Sequence, residues 1–110
     1  MATVIPQSSS GGLFRGDALR QSITVEAGAA VHLTSQGATL AHARRGGDGA
    51  SSEWRLQVDD GAWLEVLNDP LVLGPDAAVR QRWSLRIAPA ATCLLIDAWT
   101  WLHHDGAPLF

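Results

Sequence analysis

Apolar and polar residues alternate along several stretches of the chain with a period of two, which is typical of half-buried β-strands. The clearest stretch is Val79–Ile87, where the odd positions are mainly apolar and the even positions are three arginines and a serine. Trp54–Val58 repeats this pattern, and Ser22–Val25 is a shorter example. Leu64–Val66 and Leu71–Leu73 are predicted to be two further short strands.

Evidence for helices is weak. Ala38–Arg45 is rich in alanine and has some helix propensity, but it is short and ends at a glycine pair. Gly46–Ser52 is predicted to be a flexible loop from its composition. Residues 1–12 are predicted to be a flexible lead-in, followed by a single β-rich domain over residues 13–110. The chain is therefore expected to belong to the all-β class.

A unit of a strand, a tight turn and a second strand recurs three times. The turns lie within Val25–Ala29, Val58–Ala62 and Ile87–Ala91, so equivalent positions recur at nearly even intervals, the second slightly shorter than the first. Glycine in the first two turns suits a backbone with positive φ, so Ala90 at the third predicts a different turn type. Such repetition predicts strand pairs stacked into layers, either as a β-solenoid or as a sandwich of stacked hairpins.

Composition limits the class of function. A length of 110 residues allows at most one domain, and a hydrophobic content of 46% is enough for a core. The net charge of −3 gives no basic footprint for nucleic acid. The single cysteine, Cys93, cannot form an internal disulfide and is expected to be a core residue. Neither a signal peptide nor an apolar run of the ~20 residues that span a bilayer is found. A cytoplasmic protein without membrane contact is expected.

Four segments resemble, in the same order, segments of the UreD/UreH family of urease accessory proteins. Gly11–Asp17 is similar to the glycine-rich opening of that family, and Leu33–Thr39 to the segment that follows its first turn. Gly61–Leu73 and Ala78–Leu85 resemble the two strand-forming segments that come next. Members of the family are longer, so the resemblance covers only their N-terminal part.

The resemblance implies a β-rich, solenoid-like fold of which this chain holds an incomplete portion. It also implies a non-enzymatic scaffold that helps to load nickel into urease. The expected partners are urease apoprotein and accessory proteins of the UreF and UreG types. Nickel is expected to bind only transiently, and no tightly bound cofactor is expected.

Seven residues in or beside the family-like segments are candidates for partner binding or for the path of the metal. They are Asp17, Gln36, Thr39, Glu65, Asp69, Arg80 and Arg82. Carboxylates with water can hold a divalent ion loosely enough to release it. For Asp69, which precedes Pro70, an ordinary role in a turn is the simpler interpretation. The arginines of Val79–Ile87 form either a solvated strand face or a docking face for an acidic partner.

The histidines suggest a rival interpretation, in which the chain is a small cupin-like β-barrel that binds metal through His103, His104 and Asp105. Imidazole is a suitable ligand for nickel. Adjacent residues on a strand point to opposite faces, however, so His103 and His104 are not expected to bind one ion together. His32 lies between two apolar residues and is expected to face away from them. No nucleophile or phosphate-loop motif is present, and no enzymatic activity is expected.

Overall fold

The computed structural model describes residues 1–6, 16–35, 39–43 and 47–102. Within these ranges the chain forms ten β-strands and no helix, and every strand pairing is parallel. In chain order the strands are β1 (Ala2–Val4), β2 (Ala18–Val25), β3 (Ala30–Leu33), β4 (Thr39–Ala41), β5 (Ala50–Val58), β6 (Trp63–Leu67), β7 (Leu71–Leu73), β8 (Val79–Ile87), β9 (Thr92–Ile96) and β10 (Trp99–Trp101).

The strands form three parallel sheets, each of which receives one strand from every repeat. Sheet A has the order β1-β3-β6-β9, sheet B the order β10-β7-β4, and sheet C the order β2-β5-β8. From β2 onward, successive strands belong to sheet C, sheet A and sheet B in turn, and each further repeat adds one strand to each sheet. Each repeat is therefore one coil of three strands, and consecutive coils stack through backbone hydrogen bonds.

The register between coils follows the spacing of the sequence repeat. Val25 is paired with Val58, and Val58 with Ile87, which are the first positions of the three turn units. In sheet A, Val31 is paired with Leu64, and Leu64 with Cys93, with the same two offsets. The spacing of the turns therefore predicts which residues become neighbours in sheets A and C.

The stacking of similar units is confirmed, but the alternative of a sandwich of hairpins is wrong. Within the described ranges, the two strands that flank each tight turn belong to different sheets and do not pair with each other. The repeats are thus strand–corner–strand units rather than hairpins. The all-β class is confirmed, while the solenoid-like label and the division into residues 1–12 and 13–110 stay predictions.

The three tight turns share one hydrogen bond and differ at one backbone angle. In the first two, Ala29 donates its N–H to Glu26 and Ala62 donates to Asp59, each at 3.0 Å. The glycine before each donor has positive φ, 77° for Gly28 and 71° for Gly61. That angle is typical of a type II turn. In the third turn Ala91 donates to Ala88 at 3.0 Å, but Ala90 has no positive φ. The third turn therefore differs in type, as its sequence predicts.

The core lies between sheets C and A. Its inward positions come from β2, β5, β3 and β6, and the largest fully buried side chains are those of Leu33, Leu64, Val25, Val58 and Val66. A smaller cluster around Ala41 and Ala50 lies beside sheet B. Burying a side chain of this size stabilises the fold by about 1.5–3 kcal/mol. The middle coil, covered on both sides, supplies most of the core.

Side chains also join the corners of adjacent coils. The Thr34 hydroxyl donates to the carbonyl of Leu67 at 2.8 Å. The Asp69 N–H donates to the Ser35 hydroxyl at 2.8 Å, and that hydroxyl lies 3.3 Å from the Asp69 carboxylate. These contacts hold the ends of β3 and β6 together where short corners leave backbone groups without strand partners.

Some local expectations need correction. The alanine-rich stretch 38–45 has a weak helix signal, but it contains strand β4. The strand forms there because Ala41 occupies a core position of sheet B. Part of the expected loop 46–52 is the start of β5, and Ala2–Val4 within the expected flexible lead is strand β1.

Cys93 lies at the margin of the core. It packs against the main apolar cluster but is only half-buried, because β9 belongs to the outermost coil described. Partial burial raises the pKa of the Cys93 thiol. Cys93 therefore contacts the core, as expected, but it is not fully buried.

We expect Gly61→Ala to destabilise the chain. A side chain at positive φ costs about 1–2 kcal/mol, and a Cβ at this position meets nothing closer than 3.8 Å, so strain rather than a clash sets the loss. For a domain of this size, each 1 kcal/mol lowers Tm by about 4–8 °C. Gly61→Asn is the matched control and should lose less, because asparagine tolerates this backbone region. A variant Gly61→Ala that melts at or above the wild-type temperature would contradict the turn geometry.

We expect the isolated chain to be marginally stable and to self-associate. On the third coil, Leu85, Ile87, Leu94 and Ile96 are 42–51% exposed, and within the described part of the chain β8 and β9 are the outer strands of their sheets. Apolar side chains beside a free strand edge favour association. Sedimentation velocity should show oligomers that diminish in the double variant Leu94→Lys/Ile96→Lys. A monodisperse wild-type monomer that melts cooperatively above roughly 60 °C would contradict this expectation.

Candidate functional site

The most distinctive polar feature outside the corners is a histidine–glutamate pair on the outer side of sheet A. His32 of β3 is the register partner of Glu65 of β6. The His32 Nδ1 lies 3.0 Å from Glu65 Oε1, and both side chains are about three-quarters buried. The pair forms because inward Val31 and Leu33 force His32 outward, and the inward neighbours of Glu65 do the same.

The contact between these two groups is short but poorly directed. His32 Nδ1 is buried and makes no well-aligned hydrogen bond within the described residues, although the carboxylate oxygen is within ion-pair distance. The 3.0 Å separation makes the two atoms neighbours, while the lack of a hydrogen bond at Nδ1 means that they are poorly aligned for one. A nitrogen donor and a carboxylate oxygen therefore face one another on adjacent coils.

The pair is flanked by residues with little capacity to bind metal. Its register row continues to Thr3 on β1 and to Leu94 on β9. Among the described residues, no group of three or more histidine, cysteine, aspartate or glutamate side chains could hold a metal ion. Two donors with a hydroxyl-bearing neighbour can hold a divalent ion only loosely, with water completing its coordination.

The other acidic and hydroxyl candidates lie elsewhere. Asp69 is at the corner after β6, where its backbone N–H and carboxylate contact Ser35, so its turn role has direct support. Asp17 precedes β2, and its carbonyl accepts a hydrogen bond from the Ser51 N–H at 2.8 Å. Thr39 begins β4 in sheet B, opposite Leu71. Gln36 lies outside the described residues.

Arg80 and Arg82 lie on the outer face of sheet C and are exposed. Arg82 is the register partner of Glu53, which is in turn the partner of Arg20. The structure thus distributes the sequence-predicted candidates over three sheets and a corner rather than one pocket. Their roles in binding or in the metal path stay predictions.

Sequence reasoning missed the partnership of His32 with Glu65. It correctly expected His32 to face away from Val31 and Leu33 but treated it as an isolated histidine. The signal was available, because the offset from His32 to Glu65 is the same as the offset between the first two turns. When the offset between the first two turns is applied to every position of the repeat, His32 and Glu65 are predicted to lie side by side.

The rival interpretation does not fit the described fold. A cupin is a double-sheet jelly roll from the antiparallel class, whereas all strand pairing described for this chain is parallel. Its proposed ligands His103, His104 and Asp105 lie outside the described residues. Within the described ranges, no helix is long and apolar enough to cross a membrane.

Comparison with known proteins agrees with the resemblance found in the sequence. Residues 1–102 match the family described as UreD urease accessory protein. A protein named urease accessory protein UreD 2, from Bradyrhizobium sp. (strain ORS 278), is 41% identical over 104 residues, which cover 94% of this chain. The protein named urease accessory protein UreD from Mycolicibacterium smegmatis is 34% identical over 105 residues, 96% of this chain.

The matched relatives are considerably longer. The aligned part is 36% of the Bradyrhizobium protein and 38% of the Mycolicibacterium protein, so this chain spans little more than a third of their length. It corresponds to their N-terminal part. Both relatives are named urease accessory proteins, and the prediction that no catalysis is carried out agrees with that name. These matches show that the chain belongs to the UreD family of urease accessory proteins.

Proposed function

We propose that this chain is part of a cytoplasmic scaffold that assists the insertion of nickel into urease, working with urease apoprotein and with UreF- and UreG-type partners. The observation that carries the proposal is the family match over residues 1–102. The names of the relatives tie that family to urease. The delivery of nickel and the identity of the partners rest on the family resemblance.

The structure supports a scaffold role because the polar side chains lie on the outward faces of the stacked coils. The core is apolar, with no buried polar or charged residue among those described. Charged side chains such as Glu53, Glu65 and Arg82 instead lie on the outer faces of sheets, in rows set by the register. A rigid stack that displays rows of polar groups suits contact with other proteins more than chemistry in an enclosed pocket.

We further propose that nickel, as cargo, contacts this part of the protein at the His32–Glu65 pair. Imidazole nitrogen and carboxylate oxygen are both accepted by nickel, and water would supply the remaining ligands. Among the described residues, two protein donors face one another and no third is close enough to join them, so the ion would bind weakly and leave readily. Weak binding suits a group that passes an ion on, whereas a closed set of four protein ligands would retain it.

The partner proposal is tested by co-purification. The full-length protein, with this segment in place, should retain urease apoprotein or a UreF-type protein on an affinity column when all are soluble. A version that carries an unrelated β-domain in place of residues 1–102 is the control for the contribution of this segment. Failure of the intact protein to retain either partner would contradict the proposed function.

The metal proposal is tested by calorimetry. We expect nickel to bind this chain with a Kd of about 1 μM or weaker, which corresponds to about −8 kcal/mol or less favourable. His32→Ala and Glu65→Gln should each weaken binding further, because each removes one of two donors. Glu26→Gln, the same change at an exposed turn carboxylate, is the matched control and should have no effect.

Two results would contradict the metal proposal. Unchanged nickel affinity in both His32→Ala and Glu65→Gln would exclude the pair as the contact. A tight stoichiometric site that is lost in His103→Ala would instead favour metal binding through residues 103–105.

A further inference from the structure

The outer face of sheet C carries a concentration of positive charge that the composition of the chain does not reveal. Of the eight arginines in the sequence, five lie on outward positions of its three strands. They are Arg20, Arg55, Arg80, Arg82 and Arg86. Glu53 is the only carboxylate at an outward position of these strands. Five positive charges against one negative give the outward positions of these strands +4, and the Asp59 carboxylate, which accepts a hydrogen bond from Gln57 at 3.1 Å, lowers the charge at this face to +3, on a chain with a net charge of −3.

The arginines fall into two groups. Glu53 engages two of them: its carboxylate lies 3.2 Å from Arg55 Nε and 3.8 Å from Arg20 Nε. Arg80, Arg82 and Arg86 lie along the edge strand β8 and make no ion pair with any described residue. All three are exposed. The positive charge along β8 is therefore not neutralised by the described parts of the chain.

A depression in the same face offers polar groups beside two of these arginines. It has a volume of about 450 Å³ and is lined by Arg55 and Arg86. Hydroxyl and amide groups of Ser22, Thr24, Gln57 and Ser84 also line it, together with Leu56 and Leu85. Guanidinium groups with nearby hydroxyl donors suit an anionic oxygen.

We propose that this face, which we call the arginine face, docks a carboxylate-rich extended segment of a partner protein. Arginine presents a planar fork that pairs with a carboxylate through two parallel hydrogen bonds. Alternate side chains of an extended peptide repeat at roughly 6.6 Å, the same spacing as Arg80 and Arg82 on β8. A peptide with an acidic residue at every second position can therefore place successive carboxylates over these arginines.

An acidic peptide fits better than the other polyanions. Within the described residues the face is three strands wide, about 10 Å from β2 to β8 at the usual strand spacing. Long polyanions such as nucleic acid, or an anionic membrane, extend well beyond that width and meet the net negative charge of the rest of the chain. The inference rests on the charge and geometry of this face and does not depend on the proposed role in nickel delivery.

The test is a fluorescence-anisotropy titration of a labelled peptide of alternating glutamate and serine, with the chain kept below the concentration at which it associates. We expect binding that weakens as salt is raised, and no binding of the matching glutamine–serine peptide. The triple variant Arg80→Gln/Arg82→Gln/Arg86→Gln should lose about tenfold in affinity, as three exposed ion pairs contribute little individually. Glu53→Gln should increase affinity about twofold or more, because it frees Arg20 and Arg55.

Two controls separate local contacts from overall charge. Thr92→Glu/Leu94→Glu/Ile96→Glu changes the net charge by the same −3 on the outer side of sheet A, and its effect should be much smaller than that of the arginine variant. Replacing the three arginines of β8 by lysine keeps the charge and should retain part of the affinity. Circular dichroism checks that each variant keeps its β-structure.

Equal affinity of the wild type and the triple glutamine variant would overturn the proposal. Equal losses in the arginine variant and in the sheet A control would also overturn it, since net charge alone would then explain binding. Tighter binding to a single-stranded oligonucleotide or to phosphatidylserine vesicles than to the acidic peptide would assign the face to a different class of partner.

Discussion

Parallel, in-register stacking of consecutive coils is the constraint on which the rest of this structure depends. Each strand of sheets A and C lies beside the equivalent strand of the next repeat, so side chains at equivalent positions form rows across the coils. A row of inward residues such as Leu33, Val66 and Leu95 contributes to the core. A row of outward residues becomes a surface of defined chemistry. A shift of one residue would exchange the two sets, so the burial pattern fixes the register.

The rows explain both surface features of interest. His32 and Glu65 meet because they occupy equivalent outward positions in the first two coils of sheet A. The arginine face arises because three of the four outward positions of β8 are arginine, beside a middle strand that holds a single glutamate. In each case the chemistry comes from residues far apart in sequence, and the repeat brings them to one place. Stacking of the coils also brings aromatic side chains into contact. The rings of Trp54 and Trp83 are nearly parallel, and their centroids are 5.4 Å apart.

Much of the fold could be predicted from local patterns. Alternation located β8 and the Trp54–Val58 part of β5, and the glycine positions predicted both the repeat and the change of turn type at Ala90. Local patterns could not decide between hairpins and coils, because a tight corner between two sheets and a hairpin turn have similar sequences. They also could not identify β4, whose three residues are defined by the packing of Ala41 rather than by any period. The candidate site was harder to predict, since its pairs are set by register and become visible only when whole repeats are compared.

The register can be measured directly through engineered disulfides on the outer face of sheet C, in a Cys93→Ser background. Thr24 and Gln57 are register partners, and parallel neighbours about 4.8 Å apart fall within the Cα separations that a disulfide allows. The pair Thr24→Cys/Gln57→Cys should therefore oxidise readily under mild conditions. The diagonal pair Thr24→Cys/Arg55→Cys is about 8 Å apart and should remain reduced. Equal oxidation of the two pairs, or faster oxidation of the diagonal pair, would contradict in-register stacking and the surface rows that depend on it.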